Sequence, residues 1–427
     1  MGILGARRSR APRPDLSGEA DPSLRNTWVL TAFTALTNLA DGVTKVALPL
    51  VATSLTTSPA QVSGVLVILT LPWLVVALHV GVLADRVDRR SLLGLANGMR
   101  VAAIVSLLTM IAMHVITMPM VYIAAAILGV AEVIALTAAA AMVPDAVAPA
   151  GRERANVWVT GAETVCNEFA GPFLGGLLVA ASTMIALGAS VAGYVIALAI
   201  PPLLVGRFKI ERPADEPVPS VNKQIVEGLS FLWRQRLLLT MALTVTILVT
   251  CWAAWFALMP LVATKKWGLS PAGYGALVGA MGAGGIVGIF SVTFANRLFG
   301  RRWVMFANVF LTCSMVAVPA LTANVWAAGT AAFLGGMGGT LWSVNTRIIS
   351  QTLVSTEMMG RYNAVGRLFA WGSVPLGAAL AGGLAQWLGY RLAFGIFAVA
   401  TTVVIIPFLR NFTPKVLAEV ESGIRAL

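Results

Sequence analysis

Gly81-Val82-Leu83-Ala84-Asp85-Arg86-Val87-Asp88-Arg89-Arg90 joins two long apolar runs, one ending near Ala84 and the next opening near Ser91. A short, charge-dense turn between two membrane spans has one side open to it. Arg86, Arg89 and Arg90 hold it in the cytoplasm, because cytoplasmic loops carry the excess of Lys and Arg. Gly81 lets a neighbouring helix come close. Asp85 closes a span, where a carboxylate is costly unless it is paired.

Working outward, apolar runs of about 20 residues recur along nearly the whole chain, each enough to cross ~30 Å of hydrocarbon. Twelve are expected, at approximately 27–50, 61–84, 92–114, 120–143, 155–180, 183–205, 237–262, 273–295, 303–323, 326–348, 361–387 and 391–410. Backbone groups in lipid must bond internally, so the runs read as helices. The bulk numbers agree: 58% of the 427 residues are hydrophobic, 11% are charged, and the mean hydropathy is +0.84. Such a chain is not a soluble enzyme.

A net charge of +12 raises the question of nucleic acid, and its placement answers against it. Of the 30 Lys and Arg residues, Lys265, Lys266 and Arg391 fall outside and Lys45 lies within a span. All the others fall in segments that are cytoplasmic if the N-terminus is inside, or at their edges. That bias orients both ends to the cytoplasm, and a basic inner face suits anionic lipids. Cys166, Cys251 and Cys313 are isolated in apolar runs. They offer neither a disulfide framework nor metal-ligand spacing. No metal and no cofactor is expected. Residues 1–25 hold Arg7, Arg8, Arg10 and Arg13 among prolines, and read as a disordered cytoplasmic tail.

The longest polar break divides the chain into 26–206 and 237–410, with a linker at 207–236 and a tail at 411–427. In the linker, Val221, Ile225, Leu229 and Leu232 share a helical face. This predicts an amphipathic helix on the inner membrane surface with Trp233 among the headgroups. The two halves repeat one another. Arg25 and Pro49 match Arg236 and Pro260, Ser58-Pro59-Ala60 matches Ser270-Pro271-Ala272, and Arg89-Arg90 matches Arg301-Arg302. Arg154 and Asn156 match Arg361 and Asn363, and Gly175-Gly176 matches Gly382-Gly383. Five matches in order are a duplication. They predict an all-α integral membrane fold of twelve transmembrane helices in two pseudo-symmetric six-helix bundles, with a site between them.

The opening stretch resembles the loop between spans two and three of major facilitator superfamily transporters, G-x-L-a-D-R-x-G-R-R. Asp88 stands where that family usually has glycine, and Arg297 stands where the second copy would carry Asp85. Gly171-Pro172-Phe173-Leu174-Gly175-Gly176 is similar to the core of the antiporter motif of drug:proton exporters, with Asn167 in place of an earlier glycine. Span four has Ala125 near the place where many such exporters have arginine. With Pro144-Asp145 and Gly360-Arg361, these features resemble the third drug:proton antiporter subfamily, which includes macrolide, tetracycline and enterobactin exporters. The resemblance implies proton-coupled efflux of amphipathic or cationic small molecules from a bacterial cytoplasmic membrane by a monomer. The alternatives are export of one endogenous metabolite such as a siderophore, or a receptor or lipid scramblase on the same fold. No Gly-x-x-x-x-Gly-Lys loop occurs, so ATP is not the expected energy source.

Charges inside the membrane are the functional candidates. Thr34, Asn38, Asp41 and Lys45 form a polar stripe on span one, and Asp41 and Lys45, one turn apart, can pair. That pair either holds its half together or exchanges partners with a proton or cation. Glu163 and Glu168 face directions about 140° apart on a regular helix, so only one looks into a cavity. Glu132 is a further proton candidate, or a partner for Arg100. Trp252, Trp255, Phe256, Trp342 and Trp371 lie deep enough to wall a cavity for a flat cation, or to pack the core. Gly81, Asp85, Arg86, Arg89, Arg90 and Arg361 make up the expected gate, Asp85 pairing with the N-terminal end of span eleven near Arg361 when the inner side is closed. Gly171, Pro172, Gly175 and Gly176 are expected to bend span five and bring it close to the other half.

Overall fold

A computed structural model describes residues 22–84, 87–206 and 221–413. Among these residues the regular structure is all helix. The chain runs α1 (Pro22–Leu55), α2 (Pro59–Thr70), α3 (Pro72–Val75), α4 (Ala77–Ala84), α5 (Arg89–Ala112) and α6 (Met118–Ala146). Next come α7 (Arg152–Thr164), a π turn at Val165–Ala170, α8 (Gly171–Ala181) and α9 (Thr183–Leu198). The second half holds α10 (Val221–Arg234), α11 (Arg236–Leu261), α12 (Pro271–Leu321), α13 (Val325–Leu353), α14 (Thr356–Trp371), α15 (Ser373–Leu388), α16 (Tyr390–Thr402) and α17 (Ile405–Asn411). Eight helical stretches among the described residues are long and apolar enough to cross a membrane by length and composition.

Starts and stops follow local chemistry. Ser58 and Ser270 each cap a helix that opens on proline, since proline has no N–H to leave unpaired there. Asp88 caps α5, its Oδ1 accepting from the Arg90 N–H at 2.8 Å, so the turn does without the family's glycine. Breaks fall where the backbone cannot continue. Span two splits before Pro72, whose ring and missing N–H interrupt the ladder. Span eleven splits at Gly372 into α14 and α15. Inside α12, Gly300 has φ 77, a left-handed value that favours glycine, and there one helix turns into the next.

Some boundaries differ from expectation. Helix α1 starts at Pro22, so Pro22–Arg25 are helical rather than tail, and α17 runs through Asn411. The expected amphipathic helix is present as α10, while 207–220 lie outside the described residues.

The repeat is expressed in the packing. Arg90 donates to the Leu204 carbonyl at 2.6 Å and Arg302 to the Leu409 carbonyl at 3.4 Å. Each caps the end of its own half. Helix α8 crosses α12 where a Cβ on Gly176 would run into the Gly275 backbone; α15 crosses α2 where a Cβ on Gly382 would run into Ser63. Ser58 also donates to Gln386 at 2.9 Å near that second crossing. Both crossings join the first half to the second at the end away from Gly81–Arg90. At the other end, α7 packs on α1 and α6, and α14 on α10, α11 and α15.

Candidate functional site

Helix α1 carries two acidic-basic partnerships, and neither is the expected one. Asp41 does not pair with Lys45. Its Oδ2 accepts from Arg100 Nη2 at 2.6 Å and its Oδ1 from the Tyr194 hydroxyl at 2.7 Å. Arg100, on α5, also donates to Asn97 Oδ1 at 3.0 Å and lies over the Tyr194 ring. All four residues are buried. Three helices of the first half thus close around one buried ion pair.

Lys45 turns the other way. Its ammonium donates to Glu132 Oε1 of α6 at 2.8 Å and to Asn167 Oδ1 of the π turn at 2.9 Å. Asn167 in turn donates to Asn38 Oδ1 at 2.8 Å and, at 3.4 Å, to the same Glu132 oxygen. The third side of the ammonium meets the face of Trp371, 5.6 Å from the ring centroid. Trp73 stacks against Trp371, centroids 5.7 Å apart. A residue of α14 therefore sits against α1 and α3 at this depth.

Glu163 and Glu168 were expected to diverge, and the π turn changes that. In a π turn the hydrogen bond runs from i to i+5, so a residue five positions on returns close to the same side. Gly171 N–H bonds the Cys166 carbonyl in this pattern. The cause is Pro172, which supplies no N–H for the carbonyl four residues back and crowds it. The two carboxylates consequently lie within electrostatic reach of each other and of Lys45 and Arg347; Glu163 also feels Arg367. Glu168, Arg347 and Arg367 are exposed. Exposed charges inside apolar spans call for an open, water-filled space beside them rather than lipid.

Comparison with known proteins matches residues 20–423 to the family described as transmembrane secretion effector. The chain belongs to that family, within the major facilitator superfamily. It is 26% identical over 407 residues to a multidrug efflux pump, Tap, of Mycolicibacterium fortuitum, covering 92% of this chain and 96% of that one. Solved structures share the fold at low identity. A bacterial homologue of the iron transporter ferroportin, inward-facing, gives a TM-score of 0.68 at 14% identity over 91% of this chain and 98% of that chain. A bacterial homologue of the human lysosomal transporter Spinster gives 0.67 at 13% over 92% and 97%. The nucleoside transporter NupG, as its D323A mutant, gives 0.67 at 11% over 92% and 100%. The protein is therefore a multi-pass membrane transporter for small molecules, with efflux relatives, and not an enzyme.

The transporter motifs can now be placed. Asp85 and Arg86 lie outside the described residues, so the expected Asp85–Arg361 contact does too. Gly81 closes α4. Arg89 is buried and paired with Asp145 at 2.5 Å, which ties the loop to the end of α6. Arg361 pairs with Glu227 of α10 at 3.0 Å. In the antiporter-like stretch Gly176 and Phe173 meet α12 of the other half, at Gly275 and Gly282. Gly171 and Gly175 lie against Gly42 and Val43 of α1 instead, with Pro172 beside Gly42.

Among the aromatics, Trp371 reaches the site. Trp255 and Trp342 do not; both are core residues, Trp255 fully buried and Trp342 packed on Phe408. Trp252 and Phe256 are half-buried, ring centroids 6.2 Å apart, and Trp252 lies over Gly339. Sequence reasoning missed Asn167, Trp73, Arg347 and Arg367 beside Lys45 and Glu168, and Arg100 and Tyr194 as the partners of Asp41. Lone polar residues inside apolar runs were the available signal for Asn167, Arg347 and Arg367.

Proposed function

We propose that this transporter exports amphipathic, cationic small molecules in exchange for protons. The reading assigns twelve spans to two six-helix bundles, 26–206 and 237–410, with both ends in the cytoplasm of a bacterial cell and the monomer as the working unit. The observation that carries it is the Lys45–Glu132 pair, which is bounded on one side by the open space and by Trp371. Glu163 and Glu168 share that space. A carboxylate reached by solvent from one side can hold either a proton or an ammonium, and exchange between the two is antiport. The efflux pump among its relatives supports the direction of transport. Packing at the end away from Gly81–Arg90, with α7 packed on α1 and α6 and α14 on α10 and α11 at the other, supports a site open to the cytoplasm.

Everted vesicles carrying the protein, with a fluorescent lipophilic cation and an internal pH dye, test this. Cation transport should release protons, and Glu168→Gln should lose at least about tenfold of both, a barrier change of ~1.4 kcal/mol. Unchanged transport with the gradient collapsed would overturn the proton coupling.

A second reading has a specific observation behind it. Arg347 and Arg367 share the space with Lys45, and three cations there favour an acidic metabolite. Stabilisation of the purified protein by carboxylate-rich chelators, with none by lipophilic cations, would decide for that reading.

A further inference from the structure

The surroundings of the Lys45 ammonium form a complete recognition site for a free ammonium. It receives a carboxylate oxygen from Glu132, an amide oxygen from Asn167 and the face of Trp371, backed by Trp73. Glu132 and Asn167 are both more than nine-tenths buried. Each ring and oxygen is held by something else: Asn167 by Asn38, and Trp371 by the Trp73 stack. The geometry is that of a carboxylate and an aromatic face converging on a cation, the combination that recognises amines. Only one feature sets it apart from a cargo site. The amine in it belongs to the chain.

We propose that Lys45 is a tethered occupant of the cargo site: a primary or tertiary alkylammonium on the cargo takes the Glu132–Asn167–Trp371 position, and Lys45 swings to Glu168 and Glu163. The inference rests on the reading of the protein as a cation exporter and names where the cation goes. The swing has a destination, since Lys45 is within electrostatic reach of Glu163 on α7 and Glu168 in the π turn. Charge then balances at each step. Before displacement Glu132 is neutralised by Lys45. Afterwards it is neutralised by the cargo, and Lys45 arrives at a carboxylate that must give up its proton to receive it. The groups facing Glu168 are Glu163, Lys45 and Arg347, and those facing Glu163 are Arg367, Glu132, Arg347 and Lys45. One cargo cation bound thus expels one proton without cargo and proton ever touching the same carboxylate.

A tethered competitor has an effective concentration set by its own stem, in the millimolar range for short flexible links. Free n-butylammonium reproduces the lysine side chain beyond its Cα and is the probe. Purified full-length protein, Lys45→Ala and Lys45→Met are titrated with it in nanodiscs and followed by thermal unfolding. If the tether holds the site about nine-tenths of the time, vacating it raises the apparent affinity for the probe about tenfold. Both Lys45 variants should therefore gain Tm at millimolar probe where the unsubstituted protein does not, and n-butanol should do nothing. Adding Glu132→Gln to Lys45→Met should abolish the gain. Equal response in unsubstituted and Lys45-substituted protein, equal response to n-butanol, or a gain that survives Glu132→Gln would each overturn the site. Should Lys45→Ala not fold, Lys45→Met keeps the stem volume and gives the same readout. Failure of proton coupling in vesicles, with probe binding as described, would sink the exporter reading and leave the ammonium site standing.

Discussion

Two ion pairs hang from α1, one turn apart, and they differ in who surrounds them. Asp41–Arg100 has side chains 7% and 1% exposed, and its supporting groups, Tyr194 and Asn97, belong to the same half of the chain. Lys45–Glu132 has side chains 20% and 3% exposed, and one of its walls, Trp371, comes from the other half. A pair whose neighbours all lie in one unit keeps the same surroundings however the halves move. A pair that borrows a wall from the other half loses it when they part. Depth in the membrane therefore does not separate the two pairs; the ownership of their neighbours does. The cost of burial acts on both, and a buried pair is by itself weak ground for stability.

Three substitutions press on this contrast. The largest effect belongs to Arg100→Met, which leaves Asp41 buried without its counter-charge and should cost about 3–5 kcal/mol. Thermal unfolding in detergent reads it, and the double replacement Asp41→Leu with Arg100→Leu should restore most of the loss. An unchanged Tm for Arg100→Met would mean that the first pair is not sealed. Tyr194→Phe removes one hydrogen bond to a charged oxygen and should cost about 1.5–3 kcal/mol, with proton-to-cation ratio unaltered in vesicles; an altered ratio would move Asp41 into the coupling path. The smallest effect is expected of Trp371→Ala. It should weaken cation binding by ~0.5–2 kcal/mol while Tm barely moves, and a large fall in Tm would make Trp371 a packing residue only.

Much of this architecture was legible in the sequence because lipid leaves the backbone so few options. Apolar length gave the helices and loop charge the expected orientation, and of the matched Gly-Gly pairs Gly176 and Gly382 each sit at a close helix crossing, α8 on α12 and α15 on α2. Pairing was another matter. Spacing within α1 pointed Asp41 at Lys45, but i, i+4 spacing offers a partner without excluding a better one. Arg100, buried on α5, needs a carboxylate at its own depth, and taking Asp41 leaves Lys45 to Glu132. Between Glu163 and Glu168 the regular 3.6-residue turn gives way to the π turn at Val165–Ala170, which leads into Pro172. Trp255, Trp342 and Trp371 look alike in sequence. Which one meets a cavity depends on helix rotation against neighbours that periodicity does not name.

The π turn at Val165–Ala170 and the break at Gly372 occupy matching places in the repeat, 207 residues being the offset of Gly175 from Gly382. On one side of each lies a glycine crossing, Gly176 on α8 and Gly382 on α15. On the other lies an arm packed on its own half, α7 with Glu163 on α1 and α6, and α14 with Arg367 on α10 and α11. The arms are levers. At 1.5 Å per residue the 13-residue α7 is roughly 20 Å long, so a bend of about 10° at its fulcrum carries the tip ~3 Å. Two such levers, pivoting while their far ends stay crossed, would move one mouth of the molecule by that amount without unpacking the other.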